Sequence, residues 1–512
     1  PHMPQLPILQ QSLQFQDAVA FRTTDGSVTY SDLLRQSTCV AIELLQDLAD
    51  LQEARVGLLV PADQRFVAAL WGTWQAGGIA VPLCLSATDP EWDYSFTDAG
   101  ISTVITTSAL AARLQPLRTQ RGIRLLLCEL CTANPEDNAA VQHRLPQVAP
   151  TRRGMILYTS GTTSRPKGVV TTHQCIQAQI ESLVQAWEWQ SSDRIPLFLP
   201  LHHIHGIINV VSCALYSGAQ IEPFEGFEQA QILQRLQEDA FTLFMAVPTI
   251  YVRLIRCIEE LQDEAASAVC CAFSRLRLMV SGSAALPAAV HERWQALTGQ
   301  TLLERYGMTE IGMALSNPLR GERRAGSVGC ALPGVAACLA DEQGQDITAD
   351  EVAGEIRIRG AGVFQEYWQR PDATAAVFHD GWFCTGDVAV IERGYFRILG
   401  RQSVDIIKSG GYKLSALEIE AVLLEHPEIR ECADVGLPDE TWGEAVAVAA
   451  VLHSRSGLDL PALKDWCRER LSYYKLPKHL LICDALPRNA MGKVVKPDVR
   501  QLFNSSAAQV HS

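Results

Sequence analysis

The sequence predicts an α/β protein with a large N-terminal domain of layered, largely parallel sheets and helices, followed by a small α+β domain. Three observations carry this. Over residues 54–400 short apolar runs alternate with longer amphipathic stretches, the texture of strands buried on both faces between helices. After about Asp350 that texture gives way to short strands bounded by glycines. The chain has 512 residues, whereas a single hydrophobic core stops growing at roughly 250–300, so at least two domains are expected.

The strands are read from short, mainly apolar runs of three to five residues: Val56–Val60, Met155–Leu157, Leu197–Leu199, Leu243–Val247 and Leu276–Val280. Between them Gln174–Trp187, Ala230–Glu238, Tyr251–Leu261 and Pro287–Leu297 carry apolar residues at helical spacing. Proline marks two helix starts, Pro248-Thr249 and Leu286-Pro287, because its fixed φ suits the first turn. Gly354–Gly360 and Gly394–Gly400 read as strands. From about 402 onward two helical stretches, Ser415–Glu425 and Leu460–Leu471, lie among strands such as Ala445–Leu452 and His479–Cys483. The expected domains are therefore 1–400 and 401–512, with the small polar tail Asn504–Ser512 frayed.

Composition narrows the function. Hydrophobic residues make up 47% and charged residues 20%, an ordinary globular profile, and the net charge is −14. An acidic chain argues against sequence-independent nucleic-acid binding, which needs a basic surface. No stretch approaches 18–20 uncharged apolar residues, so no membrane span is expected. The start shows no basic leader with an apolar core, so the expected location is the cytoplasm, or an organelle matrix if a transit peptide has been removed. Fifteen scattered cysteines, an odd number without framework spacing, point to reduced thiols. Cys128 and Cys131 form a lone CxxC with no second half nearby, which reads as two core residues at a strand end.

The strongest chemical signal is Tyr158-Thr-Ser-Gly-Thr-Thr-Ser-Arg-Pro-Lys-Gly168. It follows a predicted strand, and its hydroxyls and glycine can present O–H and N–H donors to phosphate oxygens while Lys167 adds a cation. It is not a Walker A loop. Further along stand Tyr306-Gly-Met-Thr-Glu310, Thr385-Gly-Asp387, Gly400-Arg401 with Asp405–Glu420, and Pro487–Lys493 ending in Gly492-Lys493.

In that order these strings resemble the five motifs of the adenylate-forming superfamily of acyl-CoA synthetases, luciferases and peptide-synthetase adenylation domains, and the resemblance spans about residues 15–500. It implies that a carboxylate is joined to AMP with release of pyrophosphate and then passed to a thiol. Thr159, Ser160, Gly161, Thr162 and Thr163 would bind the phosphates with Lys167. Tyr306 and Gly307 would face adenine, with Gly282, Ser283 and Ala284 on the other side. Asp387 and Arg401 would hold the ribose. Thr309 suits the α-phosphate, and Glu310, a hard oxygen ligand, suits Mg²⁺ together with Thr162. Lys493 would bridge carboxylate and phosphate during adenylation. The small domain would then be mobile about a hinge at 401–405, withdrawing Lys493, with Ser409, Gly410 and Gly411 lining a channel for coenzyme A. ATP, Mg²⁺ and coenzyme A are the implied cofactors.

The acyl group is read from two segments. Leu201-His-His-Ile-His-Gly206 puts His203 where the superfamily commonly has a histidine, and adds His205 where an aromatic would suit a fatty acid. In Val247-Pro-Thr-Ile-Tyr-Val-Arg253, Arg253 lies one helical turn past Thr249. An alkyl chain wants neither cation nor imidazole. A buried arginine wants a carboxylate, which it binds bidentately. HxHG, the arginine after VPT, Ser281-Gly-Ser-Ala284, Leu303–Met308 and Lys408–Lys413 together resemble malonyl-CoA synthetases. That family implies a short dicarboxylate, malonate or methylmalonate first, held by Arg253, His205 and Ser281; oxalate and succinate stay open. Loading of a separate carrier protein, activation of another small acid, and a non-catalytic binding role stand as alternatives. Oligomeric state is not indicated.

Overall fold

The apolar runs of the first 330 residues assemble into three sheets in the computed structural model, which describes residues 6–131, 145–159, 165–409, 412–454, 457–488 and 492–510. The chain divides into two compact units. The larger is built on residues up to Ala336 with Ile358–Gly381, the smaller on Ala337–Arg357 with Trp382 onward. The sequence reading placed the boundary near Gly400-Arg401. Trp382–Glu392 and Tyr395–Arg401, an antiparallel hairpin just upstream of that point, group with the smaller compact unit.

In the larger unit a seven-stranded sheet runs Glu366–Tyr367, Gly168–Thr172, Arg153–Tyr158, Ile79–Pro82, Arg55–Leu59, Thr103–Thr106, Arg124–Leu127. Its last five strands are parallel. Arg153–Tyr158 and Gly168–Thr172 are antiparallel, joined by the phosphate-motif segment. A second sheet places Leu243–Ala246, Leu278–Ser281 and Leu303–Met308 in parallel, followed by antiparallel Gly312–Ser316 and Cys330–Ala331. The third runs Gly26–Thr29, Val19–Thr23, Gln220–Pro223, Arg194–Leu197. The sheets are thus mixed, parallel inside with antiparallel strands at one edge.

Helices pack on these sheets as their periodicity dictates. His173–Trp187 is capped by Thr172, whose hydroxyl accepts the Cys175 N–H, and buries Ile176, Ile180, Leu183 and Trp187. Pro248–Glu260 opens on its proline and turns Tyr251, Leu254, Ile255 and Ile258 inward. The expected strand at Leu197–Leu199 is displaced: the strand is Arg194–Leu197. Cys128–Leu130 is a short 3-10 turn after a strand, with Cys128 and Cys131 packed against the core. Burial raises both thiols to about 12, and no group of three metal-ligating side chains occurs among the described residues.

In the smaller unit, Ile406–Ser409, Tyr412–Ser415, Gly443–Leu452, Ile429–Asp439 and His479–Ile482 form a sheet covered by Ala416–Leu423 and Leu460–Arg468. The tail differs from expectation. Helix Lys496–Val510 runs through Asn504, because Val499 is buried against the sheet and anchors its first turns. No described helix is long and apolar enough to cross a membrane.

Candidate active site

The sequence-predicted residues of the larger unit gather at the ends of two sheets. Thr159 and Lys167 close the neck of the phosphate motif: the Thr159 N–H donates to the Lys167 carbonyl at 3.1 Å and the Lys167 N–H to the Thr159 hydroxyl at 3.4 Å. Ser160, Gly161, Thr162 and Thr163 lie outside the described residues. The Lys167 ammonium stands 4.8 Å from the centre of the Tyr367 ring. The Tyr367 hydroxyl donates to Glu310 Oε1 at 2.8 Å, and the Phe364 N–H donates to the Glu310 carbonyl at 2.7 Å. Glu310 is only 6% exposed. Tyr367 therefore links the motif lysine to the motif glutamate. It was not read from the sequence, where it is one aromatic in a plain stretch; strand pairing to Val169 brings it in.

Tyr306 and Gly307 lie on strand Leu303–Met308, and Thr309 follows in the turn. At Gly307 an added Cβ would stand 2.2 Å from the Gly312 carbonyl oxygen, so no side chain fits there. Parallel register sets Ser281 beside Glu304, and the next residue on each strand meets its neighbour. A Cβ on Gly282 would come within 2.1 Å of the Arg305 guanidinium carbon. Ser283 follows with φ of 71° and is exposed along with Ala284.

This arrangement centres on Arg305. It is 3% exposed, and among the described residues its Nε has no partner and its Nη2 reaches only the Ser283 hydroxyl, at 3.5 Å. Burial lowers its pKa to about 10. Neighbouring Glu304 spends Oε1 on the Leu286 N–H, and burial raises it to about 8, so it is mostly neutral at pH 7. From the other side His205 Nδ1 lies 3.0 Å from the Ser283 hydroxyl. His205 begins a π-helical stretch, His205–Ser212, that the sequence reading did not anticipate in this β-branched run. Burial first, then Arg305 and His203, push His205 well below the usual histidine range, so it is neutral. His205 is thus a neutral hydrogen-bonding ring rather than a cation. Ser281 is buried with its hydroxyl unpartnered among the described residues. His203 is half-buried, its ring centre 4.0 Å from that of His202.

Arg253 also differs from expectation. It is exposed, because the helix gives its inner face to Tyr251 and Leu254, and its guanidinium carbon lies 5.2 Å from the centre of the Phe227 ring. With Thr249, Val252 and Ala284 it lines a cleft of about 780 Å³. The arginine buried beside Ser281 and Ser283 is Arg305, within Leu303–Met308, a residue to which the sequence alone assigns no role.

In the smaller unit Asp387 and Arg401 meet directly: Arg401 Nε is 3.2 Å from Asp387 Oδ1, across the strand register that pairs them. Gly386, with φ of 72°, lets Arg401 lie against the backbone and donate to the Thr385 carbonyl at 2.6 Å. Ser409 is buried; Gly410 and Gly411 lie outside the described residues. Lys493 is exposed after Gly492, whose φ is 77°.

Comparison with known proteins identifies the family. The model of the AMP-binding enzyme family matches residues 9–368, and that of the AMP-binding enzyme C-terminal domain matches 418–493. The mitochondrial malonate–CoA ligase of Mus musculus is 41% identical over 98% of this chain and 91% of its own length. The malonate–CoA ligase of Arabidopsis thaliana is 39% identical, covering 95% and 86%. ATP-bound MatB from Rhodopseudomonas palustris superposes with a TM-score of 0.83 at 31% identity, over 96% of this chain and 98% of that one. The chain belongs to the AMP-binding enzyme family and is an AMP-forming acyl-CoA synthetase, a ligase that uses ATP, coenzyme A and a carboxylic acid.

Proposed function

We propose that the acid is malonate, with methylmalonate as a second substrate and free coenzyme A rather than a carrier protein as acceptor. The observation that carries this is Arg305, a buried guanidinium without an ion-pair partner among the described residues, set behind the Ser283 hydroxyl and neutral His205. Such a charge is costly unless an anion completes it. The free carboxylate of a short diacid supplies one, with Ser283, His205 and Arg305 at its inner end, Ser281 alongside and Arg253 at the cleft. The names of the relatives point the same way, and a solved relative 34% identical, with a TM-score of 0.66, is a malonyl-CoA ligase holding methylmalonyl-CoA and AMP.

In the first half-reaction a carboxylate oxygen attacks the α-phosphorus of ATP and pyrophosphate leaves. Thr159–Thr163 and Lys167 hold the phosphates, Thr309 contacts the α-phosphate, and Lys493 bridges the carboxylate and the phosphate that become joined. Tyr306, with Gly282–Ala284 opposite, stacks on adenine, and Asp387 with Arg401 takes the ribose hydroxyls. Glu310 and Thr162 would hold Mg²⁺, which offsets the negative charge of the triphosphate. Glu310 fits that part as a nearly enclosed hard oxygen donor oriented by Tyr367. His203 contacts the acyl end. In the second half-reaction the small domain, 401–512, pivots at 401–405 and withdraws Lys493. The thiol of coenzyme A, passing Ser409–Gly411, attacks the acyl carbonyl and AMP leaves. A reducing compartment, cytoplasm or organelle matrix, suits the fifteen unbridged cysteines, and relatives named as mitochondrial favour the matrix.

The test is pyrophosphate release with coenzyme A across malonate, methylmalonate, oxalate, succinate, acetate and butyrate. Malonate should lead and succinate lag. Arg253→Ala should lower kcat/KM for malonate about 5- to 30-fold, the scale of a charged hydrogen bond near solvent. A wild-type preference for butyrate would end the dicarboxylate reading.

A further inference from the structure

The C-terminal lysine motif leaves one feature unexplained by the adenylation chemistry, the way its loop is closed. Arg488 and Val494 form an isolated antiparallel bridge, and the Val495 N–H donates to the Pro487 carbonyl at 2.9 Å. Across this neck the Arg488 side chain spans two partners. Its Nη1 donates to the Gly492 carbonyl at 2.6 Å, and its Nη2 donates to the Glu431 carboxylate on the sheet strand Ile429–Asp439. The Gly492 carbonyl belongs to the peptide that joins Gly492 to Lys493. One guanidinium thus fixes the peptide plane that carries the lysine and ties it to a sheet strand.

This matters because Gly492 has φ of 77°, and an added Cβ would meet nothing within 4 Å among the described residues. A glycine in the left-handed region leaves that peptide plane free to rotate, and rotation there would swing the Lys493 side chain through several ångströms. A fork of donors spanning carbonyl and carboxylate restrains it where a point charge could not.

We propose that Arg488 is a positioning residue for adenylation, acting through the Gly492 carbonyl to aim Lys493, with Glu431 as its anchor. The proposal rests on the reading of Lys493 as the adenylation lysine. The experiment uses the full chain and measures both half-reactions: malonate-dependent ATP–pyrophosphate exchange, and thioester formation from supplied acyl-adenylate and coenzyme A. Arg488→Ala should lower the turnover of exchange roughly 10- to 100-fold, the scale of a misaimed group, with a much smaller change in the KM for ATP. Thioester formation should stay within about twofold, since that step does not use the lysine. Arg488→Lys should recover part, because an ammonium can reach one partner but not both. Glu431→Gln should cost less than Arg488→Ala, because an amide oxygen still accepts from the guanidinium. Arg488 is partly exposed, and a circular-dichroism melt unchanged from wild type would separate misaiming from unfolding; the lysine variant tests the same point if the alanine variant unfolds. Lys493→Ala runs in parallel. If it abolishes exchange alone while Arg488→Ala leaves exchange unchanged, or lowers both half-reactions equally, the clamp is refuted. If Lys493→Ala lowers both equally, the reading of the lysine falls and the clamp with it.

Discussion

Replacing Arg305 with methionine sets stability against recognition. Burial lowers the guanidinium from its ordinary value to about 10, a fall of roughly 2–3 in pKa, and each unit is worth about 1.36 kcal/mol. Holding the charge therefore costs the fold about 3 kcal/mol at neutral pH. The sign follows from the direction: a lowered cation destabilises at every pH below about 10 and is relieved only above it. Methionine has similar length and fills the space beside Gly282 without a charge. Arg305→Met should thus melt no lower than wild type, and up to about 3 kcal/mol more stable, less the long Ser283 hydrogen bond it gives up. Recognition should move the other way. Loss of a buried carboxylate partner is worth about 2–5 kcal/mol, or roughly 30- to 4,000-fold in kcat/KM for malonate. Butyrate, whose methyl end has no use for the cation, should change little. The assays are thermal melts with and without malonate, and kcat/KM for malonate and butyrate. A melting temperature lowered by more than about 5 °C would show that the guanidinium is paired for structure. An unchanged malonate-to-butyrate ratio would remove it from the acyl site.

Three further outcomes are expected. Glu304 is held mostly neutral by burial, raised from 4.5 to about 8, so its contribution to stability is lost as pH rises from the lower value through the higher; Glu304→Gln should melt above wild type at pH 8–9 and match it near pH 4.5, and a constant difference across that window would refute the assignment. Glu310→Gln should weaken the magnesium dependence of adenylation, and because Glu310 is buried and bonded to Tyr367 it should also cost about 1 kcal/mol in a denaturant titration, which a mere surface carboxylate would not. Asp387→Asn should raise the KM for ATP roughly tenfold, with a smaller change in kcat, since it removes charged bonds to the ribose and the pairing with Arg401; equal KM values in variant and wild type would place the ribose elsewhere.

The family and the chemistry were legible in the chain because they reside in contiguous strings. Tyr158–Gly168, Tyr306–Glu310 and Gly492-Lys493 each keep their chemistry within one short segment of chain, where sequence neighbours need no distant partner to come together. Helix Pro248–Glu260 and strand Gly354–Gly360 were equally readable, since proline placement, periodicity and bounding glycines are local signals. The acyl end was a different matter. Arg253 and Arg305 are both arginines beside apolar residues, and only packing distinguishes them. Tyr251, Leu254 and Ile255 claim the inner face of one helix and turn Arg253 to solvent, while the register of Ser281 beside Glu304 presses Arg305 against Gly282 and seals it in. The same holds for Tyr367, which reaches Glu310 only because a two-residue strand pairs with Val169, and for Arg488, whose partner Glu431 lies 57 residues away. Burial, strand register and contacts between distant segments are sums over the whole fold, so those choices belonged to the tertiary structure.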